Sequence, residues 1–222
     1  MRKKIKRDIR NAGIYFAAFL VLLVCVKLID VKPIAPDGSG VGFAWLNGGI
    51  SKMIGYHQVW HVVSELFGYF ALITGAGFAA AGVYQLVARK SIKKVDADIL
   101  VLGGTYILTG IFYVLFEIFV VNVRPVLENG KAEASFPSSH TLLAVVLLGT
   151  AQVMAARHVE NLQSQRLLQT IALALIALII LTRILSGVHW ITDIVAGSLL
   201  GMAILSLYEA ALCIVDHRKK EQ

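Results

Sequence analysis

The sequence predicts an all-α integral membrane protein, a bundle of six transmembrane helices, on three observations. Hydrophobic residues make up 57% of the 222 residues and charged residues only 16%, against about 25% charge in an ordinary soluble domain; mean hydropathy is +0.73. The apolar residues gather in six runs, near the roughly 20 residues that cross a bilayer as a helix. The basic residues fall in short clusters between those runs. The same figures exclude a disordered chain, a coiled coil and a disulfide scaffold. A net charge of +7 alone would suit nucleic acid. Bases confined to the gaps between apolar runs mark a membrane protein instead, and no nucleic-acid partner is expected. Cys25 and Cys213 both lie inside apolar runs, which indicates neither a disulfide framework nor a zinc cluster.

The six runs cover about residues 12–29, 59–88, 99–122, 141–156, 167–185 and 190–215. They leave no room for a separate soluble domain, so residues 1–222 read as one membrane domain. The basic N-terminus lacks a small-x-small cleavage site and its apolar run is long enough to span, which reads as a signal-anchor. Leu22, Leu23 and Val24 before Cys25 argue against lipidation. Of the 21 Lys and Arg, fifteen fall on one side: Arg2, Lys3, Lys4, Lys6, Arg7, Arg10, Arg89, Lys90, Lys93, Lys94, Arg157, Arg166, Arg218, Lys219 and Lys220. Only Lys27, Lys32, Lys52, Arg124, Lys131 and Arg183 fall on the other. This bias places both termini in the cytoplasm of a bacterial-type plasma membrane and turns the loops carrying Arg124 and Arg183 outward.

Between the first two spans, Pro33, Pro36, Gly38, Gly40 and Gly42 make an irregular segment. Residues 43–54 mix Phe43, Trp45, Leu46, Ile50, Met53 and Ile54 with Asn47, Ser51 and Lys52. They suit a short helix in the outer interface, beside a lipid entrance, or a plain connector. Gly75-Ala76-Gly77, Gly103-Gly104 and Gly197-x-x-x-Gly201 suggest close helix contacts. Trp45, Trp60 and Trp190 fit an outer interfacial belt.

Ionisable residues at membrane depth are costly to bury and therefore informative. They concentrate in two outward stretches, Asn122-Val123-Arg124-Pro125 continuing to Phe136-Pro137-Ser138-Ser139-His140, and Thr182-Arg183 continuing through Gly187 to His189-Trp190-Ile191-Thr192-Asp193. His189 and Asp193 are four apart at a helix start and share a face. The carboxylate can hold one imidazole nitrogen and leave the other to attack. Arg183, across a short turn, and Arg124 supply two guanidiniums. The Pro-Ser-Ser-His turn enters a helix, where backbone N–H groups favour an anion. Together these residues suit the binding and transfer of a phosphoryl group.

They resemble the type 2 phosphatidic acid phosphatase (PAP2) family, which shares its core with bacterial acid phosphatases and vanadium haloperoxidases. The family pattern is Lys-x6-Arg-Pro, then Pro-Ser-Gly-His, then Ser-Arg-x5-His-x3-Asp. Here it reads Arg124-Pro125, Pro137-Ser138-Ser139-His140 and Thr182-Arg183-x5-His189-x3-Asp193. The resemblance covers the second half of the chain closely and the first half only as membrane helices. It implies that His189 is the nucleophile of a phosphohistidine and that Asp193 orients it. It implies that His140 protonates the leaving oxygen and then activates water, and that Arg124, Arg183, Ser138 and the Ser139 N–H bind the phosphoryl group. No metal or other cofactor is implied, because guanidiniums neutralise the charge. The substrate would be a lipid phosphate or diphosphate, such as undecaprenyl diphosphate, phosphatidylglycerophosphate or phosphatidic acid, entering sideways between helices.

Three positions depart from the pattern. Ser139 replaces glycine, where it would crowd a tight turn, and Thr182 replaces serine. Glu117 stands where the family has lysine. At ~5 Å and an effective dielectric of ~20 a unit-charge interaction is worth roughly 3 kcal/mol, so exchanging cation for anion would disfavour phosphate by about twice that. Glu117 would then brace Arg124, or point elsewhere while Lys131 or Lys52 supplies the charge. The departure motivates two rival readings: a lipid-phosphate binding or transport protein without turnover, and a phosphotransferase with an alcohol in place of water. His189 with Asp193 alone would equally suit a structural pair. His57, His61 and Glu65 recur every four residues, a spacing that suits a metal but lacks a fourth ligand; support of the pocket or a pair with Lys52 is the preferred reading. Glu209 reads as a packing or snorkelling residue, and His158 and His217 as polar cytoplasmic residues.

Overall fold

The computed structural model describes residues 2–127 and 130–221. Six helices are long and apolar enough to cross a membrane, as the sequence predicts. They are α1 (Arg2–Leu28), α3 (Gln58–Arg89), α4 (Ala97–Ile118), a composite of α5 (Ser139–Leu143) and α6 (Gly149–His158), α7 (Leu162–Ser186) and α8 (Ile191–Glu221). A shorter helix, α2 (Ala44–Ile54), lies between the first two spans. Among the described residues there is no strand. Two isolated bridges, Lys32 to Val41 and Val123 to Ala134, pin the loops.

Boundaries move where local interactions outrun hydropathy. α1 begins ten residues before the apolar run, because Arg and Lys are good helix formers and keep their charges exposed. α4 stops at Ile118, four residues early, and the following chain extends to make the Val123–Ala134 bridge. α8 runs past residue 215, where Asp216 pairs with Arg157.

The composite helix is the centre of the bundle: 56% of its apolar window is buried, against 44% for α8 and 17–22% for the other spans. Between its halves lies a π-helical turn, Ala144–Leu148, all five residues buried. Small residues admit it. A Cβ on Gly201 would come within 2.8 Å of Val145 Cβ, and one on Gly75 within 3.0 Å of Leu147. Gly197 and Gly201 therefore make the close contacts their spacing suggests. Gly103 and Gly104 do not, since a Cβ on either would meet nothing within 4 Å. They line an open hollow of about 690 Å³ between α3 and α4.

The chain runs up and down, so loops and helix ends gather at two poles. At one, Lys27 Nζ donates to the Val121 carbonyl (2.8 Å), the His57 N–H donates to the Ser186 carbonyl (3.1 Å), and all the motif residues collect. α2 is docked there: buried Asn47 donates to the Gly42 carbonyl (2.7 Å) and to Thr192 Oγ1 (3.0 Å) at the start of α8. Trp45, 81% exposed, lies on the outer face of α2. Trp190 departs from the expected belt. It is buried, and its Nε1–H donates to the Val123 carbonyl (2.6 Å), clamping one motif loop onto the other.

Candidate active site

Two junctions present the polar residues. At the first, Phe136 is held between Phe19 of α1 and Phe116 of α4, with ring centroids 6.0 and 6.2 Å away. Such ring pairs add about 0.5–1.5 kcal/mol each beyond the area they bury. This fixes the chain just before α5. The Ser138 N–H donates to the Asp193 carbonyl (2.9 Å), and Ser138 Oγ accepts from Thr141 Oγ1 (3.1 Å). A Cβ on Gly197 would lie 2.6 Å from the Ser138 carbonyl oxygen, so glycine is what lets α8 approach this turn. Ser139 opens α5 without a positive φ, so the backbone there does not demand glycine.

At the second junction α7 ends on Gly187 at φ 68, a left-handed cap, where any Cβ would run into the Gly55 carbonyl. Three residues later the Trp190 N–H donates to Asp193 Oδ2 (3.1 Å) while the Asp193 N–H donates to the Trp190 carbonyl (3.0 Å). The Asp193 carboxylate thereby caps the free N–H at the start of α8, and the backbone bond closes the first turn. The motif spacing thus starts α8 and aims Asp193 with the same atoms.

Arg183 is fully buried and organises the centre. Its Nη1 donates to Ser64 Oγ (3.0 Å) and to Glu65 Oε1 (2.8 Å), and its Nη2 to His189 Nε2 (2.9 Å). Its Nε is buried with no hydrogen-bond partner. A guanidinium only donates, so His189 Nε2 holds a lone pair and its proton sits on Nδ1, 3.6 Å from Asp193 Oδ2. Burial first, then the guanidinium charges of Arg183 and Arg124, hold the His189 pKa well below the ordinary 6.5 and keep the ring neutral. Asn122 Nδ2 steadies Asp193 Oδ1 from 3.4 Å.

His140 faces the other way. Its Nε2 lies 3.1 Å from Glu65 Oε2; a carboxylate only accepts, so Nε2 carries the proton. Its Nδ1 is buried without a partner. A Cβ on Gly68 would come within 2.8 Å of His140 Cδ2, so glycine allows α3 to lie against the imidazole. His57 does not join Glu65 in a ladder, because its Nε2 turns back to the Ile54 carbonyl (2.8 Å). His61 stays beside Glu65, Nδ1 to Oε1 3.9 Å.

Of the eight residues singled out, His140, Arg183, His189 and Asp193 form one connected group through Glu65. Ser139 lines both adjoining spaces, while Ser138 is turned into the junction. Arg124 stands at the rim, held by Glu133 (Nη1 to Oε2 3.4 Å) and the Ala134 carbonyl. Glu117 is exposed near the end of α4. Lys52 and Lys131 are also exposed and line neither space. The sequence reading gave Glu65 only a supporting part and passed over Ser64. The available signal was an ionisable residue inside an apolar span; its partners lie more than 70 positions away.

Two spaces adjoin this group. A crevice of about 10 Å³ beside Glu117, Ser139 and His189 has roughly the room one water needs. A mainly apolar cavity of about 500 Å³, between α3, α4 and α5, runs past Tyr69, Tyr106 and Tyr113 to Glu65, Ser139 and His140. A further hollow of about 510 Å³ lies toward the other pole and touches no motif residue.

The chain belongs to the PAP2 superfamily, whose family model matches residues 74–213 and so takes in Arg124 through Asp193. It is 36% identical over 83 residues to lipid phosphate phosphatase delta of Arabidopsis thaliana, covering 36% of this chain and 20% of that protein. The chain thus matches about a fifth of the length of that curated relative. The fold is similar to that of a transmembrane PAP2-type phosphatidylglycerolphosphate phosphatase from Bacillus subtilis, with a TM-score of 0.61 and 20% identity over 90% of this chain and 94% of that one. A weaker likeness, to LpxE of Aquifex aeolicus, has a TM-score of 0.43 and 25% identity over 73% of this chain and 94% of that one.

Proposed function

We propose that this protein is a lipid phosphatase that hydrolyses a lipid phosphate or diphosphate through a phosphohistidine at the extracytoplasmic face of the membrane. The observation that carries the reading is the contrast between two imidazoles at either end of the Arg183–Glu65 pair, one facing a group that only donates and the other a group that only accepts. His189 Nε2 offers a lone pair and His140 Nε2 offers a proton, the states a nucleophile and a general acid need. His189 Nε2 attacks phosphorus, the bond from phosphorus to the lipid oxygen breaks, and His140, acting as the imidazolium, delivers its Nε2 proton to that oxygen and is left neutral. Water then attacks the phosphohistidine and gives a proton back to His140, which releases phosphate and restores His189. Arg183, Arg124 and the Ser139 N–H stabilise the charge on the phosphoryl oxygens. Asp193 holds the Nδ1 side of His189 as positive charge develops.

The lateral cavity beside His140 suits the lipid chain, with apolar walls leading to a polar end. Outward-facing arginines against a strong inside-positive bias favour the extracytoplasmic orientation. The test is phosphate release by purified protein in detergent from undecaprenyl diphosphate, phosphatidylglycerophosphate, phosphatidic acid and a soluble monoester, with and without EDTA. Release from at least one lipid, insensitive to EDTA and blocked by vanadate, is the expected result. Lipid binding with no release would establish the binding reading instead, and transfer of labelled phosphate to an alcohol would establish a phosphotransferase.

A further inference from the structure

Glu65 lies outside all three motif parts and outside the residues matched to the superfamily. Its carboxylate nevertheless bridges the two groups assigned above to the phosphoryl oxygens and the leaving oxygen. Oε1 accepts from Arg183 Nη1 at 2.8 Å and Oε2 from His140 Nε2 at 3.1 Å. Two oxygens on one atom, spanning a guanidinium N–H and an imidazole N–H, reproduce half of a bound phosphoryl group. Glu65 also stands at the polar end of the cavity of about 500 Å³, on the path by which a lipid headgroup would arrive.

The rest of the centre is closed to match. The crevice beside His189, about 10 Å³, has no room for a phosphate. His189 Nε2, the attacking atom, is covered by Arg183 Nη2 (2.9 Å). One guanidinium therefore holds both the carboxylate and the nucleophile, and Arg183 Nε is left over as a buried donor with nothing to bind. A buried unsatisfied donor is uncommon in a structural ion pair and calls for a ligand.

We infer that Glu65 is a resident anion occupying the phosphoryl seat, which the phosphate of the substrate must displace to reach His189. This rests on the phosphatase reading. Displacement exchanges a singly charged carboxylate for a doubly charged terminal phosphate, so the seat selects for phosphates that bring two charges. As Arg183 turns from Glu65 to the incoming oxygens it uncovers His189 Nε2. The displaced carboxylate has His61, one turn back on α3 and 3.9 Å away, beside it. Glu65 thereby sets the affinity and charge selectivity of the site without taking part in bond making.

The test is calorimetric titration of inorganic phosphate into full-length wild type, Glu65→Gln and Glu65→Asp in detergent, with lipid phosphate hydrolysis measured on the same preparations. Glu65→Gln keeps the shape but loses the charge, and should bind phosphate at least tenfold more tightly than wild type. Glu65→Asp is too short to span both partners and should fall between; it serves alone if the glutamine variant does not fold. Phosphate affinity in both variants equal to or weaker than wild type, in a wild type that hydrolyses lipid phosphate, overturns the inference and leaves the phosphatase reading standing. Absence of both hydrolysis and phosphate binding in every preparation overturns the phosphatase reading itself.

Discussion

Arg183 and Arg157 sit at opposite poles of the bundle, each held by carboxylates and each beside a histidine. Arg157 has all three of its nitrogens engaged. It grips Asp216 with both terminal nitrogens (2.8 and 2.9 Å), gives Nε to Asp98 (3.2 Å), and His158 closes on the same Asp98 (2.9 Å). Arg183 is more deeply buried and makes as many bonds, to one carboxylate, one hydroxyl and one imidazole nitrogen, but all from its two terminal nitrogens, and its Nε has no partner. A guanidinium whose three nitrogens all grip carboxylates of neighbouring helices ties those helices together. One that keeps a buried nitrogen without a partner holds binding capacity in reserve. This difference separates a staple from a site more sharply than burial or residue type does. It also gives His158, which the sequence left without a part, a structural one.

Substitutions can break that contrast at either pole. The largest effect is expected from His189→Ala, which should cut hydrolysis by about 10⁴-fold or more, as loss of a nucleophile does elsewhere; phosphate release assays read this directly. Arg183→Lys keeps the charge but cannot serve Ser64, Glu65 and His189 together, and should cost roughly 10²–10³-fold in kcat. The pH profile comes next. With His189 held neutral by burial and by the adjacent guanidiniums, the attacking lone pair persists below 6.5. The acid limb of log kcat/KM should therefore lie below that value, and a limb at or above it would show an unperturbed nucleophile. At the other pole Arg157→Met should lower the thermal midpoint by about 2–4 °C for each kcal/mol lost and leave kcat/KM within about twofold, since surface-linked pairs contribute only ~1 kcal/mol each. The smallest change is expected from Glu117→Lys, which should leave hydrolysis intact or raise it a few-fold. A sharp fall would give the exposed glutamate a positive part in turnover.

Much of the site could be read in the chain because the motif spacing is itself local structure. His189 and Asp193 stand four apart where α8 begins, and Asp193 caps the Trp190 N–H at that start. Gly187 marks the helix end before it. Hydropathy could not show where helices stop on account of caps and bridges, so α4 ends early and α8 runs late. Nor could it show that Trp190 is buried. Its indole finds the Val123 carbonyl 67 positions away, and no local pattern encodes that pairing.

By itself the sequence determined the six apolar spans, their charge bias and the residue types that gather at the motif-bearing pole, since each follows from transfer free energy or from contacts within one turn. Tertiary structure alone decided which nitrogen of each imidazole carries the proton, because that depends on whether the facing group can accept or only donate. It also decided that Glu65, contributed by a different helix, would lie between Arg183 and His140. Side chains more than 70 positions apart acquire a common chemistry only when packing sets the distance between them.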